Sequence, residues 1–225
     1  MSQPRFQDQP LRAQKRARTR VALVEALLER LSDRPLEDIQ VRELAGAAGI
    51  SEATFFNHFP SKDHLLAHFI QLWTLRMGVM AREARAEHDS VLAAIEAILV
   101  TTAEWNAPYP RVMSEVIAAQ ARVGTFAVDD PIELAERLLF LDDVPDVMEL
   151  PANGLGDILP QLVGEAVHRG ELPPDTEVRL VVLAIASVFF GVPLVLGHTA
   201  PEAVGPMYRR QLHLIWTGAR AGRPL

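Results

Sequence analysis

The chain has 225 residues, 49% of them hydrophobic and 23% charged, and no cysteine. That is enough to bury a core at an ordinary globular composition, and it excludes disulfides, thiolate metal sites, iron–sulfur clusters and cysteine nucleophiles. The net charge of −7 would argue against a nucleic-acid partner only if it were evenly spread; residues 1–62 hold ten Lys/Arg against eight Asp/Glu, and residues 63–225 hold twelve against twenty-one.

The first twenty residues are basic and polar, without the apolar stretch and small-residue cleavage site of a secretory signal, so no export is expected and the expected location is the cytoplasm. Arg12, Lys15, Arg16, Arg18 and Arg20 crowd ahead of the first periodic apolar segment. This reads either as an arm following a phosphate backbone or as a solvated tail. Val21, Leu23, Val24, Leu27, Leu28 and Leu31 recur at three- and four-residue intervals, which predicts a helix over 19–31 ending before Pro35. A short helix follows over 41–48, with Gly49 placed to stop it in a left-handed conformation and Ser51 to cap the next one, over 52–59. Pro60 ends that helix, because a residue before proline is pushed out of the helical region. Two helices joined by Ala48-Gly49-Ile50-Ser51 make a helix-turn-helix.

Ser61 caps a longer helix carrying Leu65, Leu66, Phe69, Leu72, Trp73, Leu75 and Met77, and the domain boundary is placed at its start. Further helices are expected near 89–105, 109–122, 131–141, 155–169, 176–197 and 201–219, divided by Pro108, Asp129-Asp130-Pro131, Pro145, Pro151, Pro173-Pro174 and Pro201. With no convincing strand or repeat, the expected architecture is all-α. A three-helix head over 1–62 holds the helix-turn-helix, and 63–225 forms a larger bundle, nine or ten helices in all.

The segment from Val41 through Ala48-Gly49-Ile50-Ser51-Glu52-Ala53-Thr54-Phe55-Phe56-Asn57-His58-Phe59-Pro60-Ser61-Lys62 to Asp63 resembles the signature of the tetracycline-repressor (TetR) family. The likeness extends over roughly residues 15–70. It implies a homodimer with paired DNA-binding heads, a variable ligand-binding domain and a final pair of helices forming the dimer interface. The family usually has Tyr at Phe56, Ser or Thr at Gln40, and glycine at Pro35.

The residues themselves support a DNA-reading helix. Phe55 and Phe59, four apart, suit a buried face, leaving Glu52, Ala53, Phe56 and Asn57 toward a major groove. There Asn can bond bidentately to adenine, Glu can accept from cytosine, and Phe can press on a thymine methyl. Arg42, Ser51, Thr54, His58 and Lys62 complete the expected DNA contacts, mainly to phosphate, and the free amides after Ser61 favour an anion. On this reading, loss of Lys62 weakens binding to every sequence and flattens its salt dependence.

A cavity in the bundle is expected to be lined from among Trp73, Met77, Trp105, Tyr109, Met113, Phe126, Phe140, Phe189 and Phe190, and to take an apolar or amphipathic small molecule. Residues 180–197 carry no charge, but Gly191 and Pro193 interrupt them. A dimer helix with the following seam over 201–219 therefore accounts for them better than a membrane span. His64 and His68, four apart, could reach one metal, yet no third ligand is near, and a polar domain junction accounts for them as well. No glycine phosphate loop, nucleophile elbow or paired-carboxylate motif is present, so neither an enzyme nor a cofactor is expected. The expected function is a ligand-released repressor of a palindromic operator. The alternatives are an activator of the same fold and a small-molecule-binding helical protein that has lost DNA binding.

Overall fold

In the computed structural model, residues 4–123, 131–142, 144–150 and 154–221 are described. Phe126, Asp129, Asp130 and Asp143 of the sequence reading lie outside them. The described residues form ten α-helices and four short 3-10 turns, without a strand. The helices are α1 (Leu11–Leu31), α2 (Val41–Ala47), α3 (Glu52–His58), α4 (Lys62–Glu87), α5 (Val91–Asn106), α6 (Val112–Val123), α7 (Leu134–Phe140), α8 (Leu155–His168), α9 (Val178–Leu196) and α10 (Val204–Arg220). The chain divides into two compact units, Met1–Arg76 with Ser114–Leu150, and Met77–Met113 with Pro151–Leu225. This division differs from the boundary expected at 62/63, because the segment that contains α7 packs with the head.

In the first unit, Leu23, Leu27, Leu31, Leu44, Phe55, Leu65 and Phe69 are fully buried. Burying each such side chain is worth about 1.5–3 kcal/mol. α1 begins at Leu11, eight residues before the start predicted by apolar periodicity. Its first turns are held by polar groups instead: Gln14, itself buried, donates to the carbonyls of Gln7 (3.1 Å) and Gln9 (2.7 Å), and Arg18 lies 5.0 Å over the Phe6 ring. The basic residues 12–20 are therefore part of a packed helix, neither an extended arm nor a solvated tail.

The turn after α2 closes as a Schellman motif. Gly49, at φ +67°, donates to Gly46, and Ile50 donates to the Ala45 carbonyl at 2.9 Å. Gln40, which precedes α2, is held by its backbone N–H, which donates to the Glu43 carboxylate at 3.2 Å. Glu43 also accepts from Arg34 at 2.8 Å. That backbone bond, with the Arg34 guanidinium, keeps the Glu43 carboxyl below its usual range.

In the second unit, Ser90 caps α5 and Glu171 accepts from the amides of Val91 (2.8 Å) and Leu92 (3.1 Å). Burial alone would raise the Glu171 pKa, but these donors bring it below the ordinary value. Arg85 forks onto Glu165 with bonds of 2.8 and 3.3 Å.

Pro193 does not interrupt α9, contrary to the sequence reading. A proline removes the amide that would bond four residues back, here to the Phe189 carbonyl. The Tyr208 hydroxyl of α10 donates to that carbonyl instead, at 2.8 Å. Burial of this phenol pushes its pKa upward.

Candidate nucleic-acid interface

The short helix α3 is set by its two ends and one face. At its start Ser51 Oγ accepts from the Thr54 amide at 3.2 Å and lies 2.9 Å from the Thr54 hydroxyl. At its end Phe59 is extended and its amide closes onto Phe55. Phe55 and Phe59 are buried, with ring centroids 6.2 Å apart. Glu52, Ala53, Phe56 and Asn57 are exposed as expected, and Phe56 keeps 52% of its surface in solvent. Phe56 meets the buried Phe55 edge-on at 5.5 Å, so its ring is braced from below while its outer face stays open. Arg42, on α2, is exposed as well.

The flanking residues are placed less simply. His58 is half-buried, and its Nδ1 makes no hydrogen bond among the described residues. Desolvation, with Arg16 and Arg20 nearby, lowers its pKa. Lys62, expected at a phosphate, is engaged with backbone carbonyls of the head. Its Nζ donates to the carbonyls of Leu36 (2.6 Å), Glu37 (2.7 Å) and Ile39 (3.1 Å), which fastens the start of α4 to the turn ahead of α2.

Two residues read as surface or metal-binding groups are built into a polar cluster. Arg20 is 1% exposed, with its Nε 2.8 Å from Glu136 of α7. His68 bonds Arg20 on one side and Glu136 on the other. His64 is engaged elsewhere, its Nδ1 2.9 Å from the Ser61 hydroxyl. Glu136 was missed in the sequence. The available signal was Arg20 itself, a charge lying in the apolar stripe that runs from Ala17 to Val24.

The expected ligand-lining residues fall into both units. Trp73 and Phe140 lie in the first, and Met77, Trp105, Tyr109, Met113 and Phe189 in the second. Of these, Tyr109 and Met113 line a cavity of about 20 Å³ with Asn106, Pro193, Gly197 and Tyr208. Asn106 Oδ1 is buried there and accepts no hydrogen bond from any described residue. The outer face of α9 is apolar and open. Leu183 and Val195 are 55% and 74% exposed, and Gly191, Val195 and Leu196 form a groove with Met207 and Gln211 of α10. By length and composition α9 could also cross a membrane.

Residues 23–69 match the family of bacterial regulatory proteins called the tetR family. Among solved structures, the fatty acid degradation regulator FadR of Bacillus halodurans aligns at 15% identity and a TM-score of 0.63, covering 90% of this chain and 96% of its own. Thermus thermophilus FadR, a TetR-family repressor in complex with lauroyl-CoA, aligns at 18% and 0.59, covering 92% and 99%. RolR in complex with resorcinol aligns at 16% and 0.59, covering 95% and 97%. The chain thus carries a tetR-family amino-terminal segment over residues 23–69, and its described residues share the all-helical fold of these regulators.

Proposed function

We propose that the chain is a ligand-responsive repressor that binds a palindromic operator as a homodimer and is released by an apolar or amphipathic small molecule. One observation carries the reading: α3 buries Phe55 and Phe59 while exposing Glu52, Ala53, Phe56 and Asn57 on one face. Residues 1–62 grip the DNA, 63–225 bind ligand and pair the subunits, and α4 transmits between the two tasks. The open stripe on α9 supports pairing through 176–197 and 201–219, because an exposed apolar helix face of this length calls for a partner. Two paired heads about 34–36 Å apart would enter successive major grooves. The site of action is the cytoplasm, with neither catalysis nor a membrane involved. The lauroyl-CoA and resorcinol complexes of similar regulators support a small-molecule effector.

The test is a gel shift with duplex DNA from upstream of the chain's own gene, with and without a metabolite extract, beside sizing of Leu183→Glu/Val195→Glu. Wild type should run as a dimer and give a salt-sensitive shift that the extract reverses. The double variant should be a monomer at micromolar concentration and lose at least a hundredfold in affinity. A monomeric wild type that binds no duplex would refute the reading.

A further inference from the structure

α7 joins the head through a carboxylate that sequence inspection passes over. Glu136 is fully buried, its Oε1 2.8 Å from Arg20 Nε and 3.0 Å from His68 Nε2, while Arg20 Nη2 lies 2.9 Å from His68 Nδ1. A guanidinium has donors only, so His68 Nδ1 accepts from Arg20, its ring proton sits on Nε2, and that proton is donated to Glu136. One group from α1, one from α4 and one from α7 are thereby closed on each other away from water. Their floor is Phe59, the residue that ends α3: the Arg20 guanidinium lies 4.7 Å above its ring, and the His68 ring is 5.2 Å from it. Packed apolar residues would serve stability as well as this cluster, and removing one partner leaves a buried charge unmatched.

We propose that Arg20, His68 and Glu136 form a joint through which α7 sets the position of α3. When α7 shifts, Glu136 draws Arg20 with it, the guanidinium leaves the face of Phe59, and the end of α3 loses its seat. The three are positioning residues, since none is among the exposed groups of the reading face. What the coupling regulates rests on the proposed function, but the coupling itself lies within one compact unit and is measurable without DNA. The neighbouring pair Arg16–Glu133, 3.1 Å apart and partly exposed, joins α1 to the residue that caps α7, and Glu133→Gln, which keeps a capping oxygen, supplies a control.

The experiment is amide hydrogen exchange, read by mass spectrometry on the full chain. Glu136→Gln keeps the side-chain shape and removes its charge. Exchange should accelerate at least tenfold both in 134–140 and in 52–59, while 204–220 stays at the wild-type rate. Phe59→Leu, applied at the other end, should accelerate 134–140 comparably, because coupling is reciprocal. Glu133→Gln should change neither segment by more than twofold. Acceleration by Glu136→Gln confined to 134–140 overturns the proposal. So does acceleration that extends equally to 204–220, which is the mark of general destabilisation. Should Glu136→Gln fail to fold, Arg20→Lys, which keeps the charge but loses the planar fork, is judged by the same segments. Failure of the wild-type chain to bind DNA would count against the proposed function and leave these exchange results standing.

Discussion

Replacing Lys62 by Met keeps the aliphatic stem and removes the ammonium that three carbonyls share. A hydrogen bond involving a charged group contributes about 1.5–3 kcal/mol. Three bonds from one ammonium at 2.6, 2.7 and 3.1 Å do not add, because the partly accessible site admits water once the charge is gone. A net loss of about 2–3 kcal/mol follows, equivalent to roughly 10 °C in the melting temperature of a unit of about a hundred residues. The assay pairs thermal unfolding by circular dichroism with operator affinity measured over a series of salt concentrations. A lysine resting on phosphate contributes about 0.9 to the slope of log affinity against log salt. With its charge on the carbonyls of Leu36, Glu37 and Ile39, Lys62 should leave that slope unaltered while affinity falls uniformly, as α2 and α3 lose their setting. A variant that melts with the wild type yet loses nearly one from the slope would show that the ammonium leaves the carbonyls for DNA.

Asn57→Ala should relax preference at a single base pair per half-site by about 1–3 kcal/mol, readable by comparing operator variants one position at a time, with the melting temperature unchanged. The Arg85–Glu165 pair gives a pH signature. Its hydrogen bond, and then its charge, lower the Glu165 pKa from the ordinary 4.5, so the contribution is full above that value and is lost as pH falls through the depressed one. The melting-temperature difference between wild type and Arg85→Met should therefore be constant near neutrality and close on the acid side. A difference that persists unchanged in acid would sever the link to Glu165.

What was legible in the sequence was local. The left-handed glycine at 49, the serines at 51 and 61, and prolines 35 and 60 each act within a few residues, so the helices of the head were readable from their own signals. The bounds of α5, α8, α9 and α10 follow for the same reason. Contacts across the chain were not readable. The start of α1 carries no apolar period because Gln14 and Arg18 are held by the preceding segment, and α7 packs with the head though it lies far along the chain. Nothing near Lys62 announces that three carbonyls converge on it, and nothing near Arg20 names a glutamate 68 residues beyond His68. Pro193 misled for a related reason: its effect depends on whether the abandoned carbonyl finds another donor, and that donor belongs to a different helix.

The Tyr208 hydroxyl has a consequence for assembly. Because the break left by Pro193 is mended from inside the same polypeptide, the second subunit of the proposed dimer need bring neither a polar group nor a bridging water to satisfy it. In that proposed pairing the seam across Pro193 can rest on apolar contact alone, with the phenol behind it supplying the one polar bond the helix lacks.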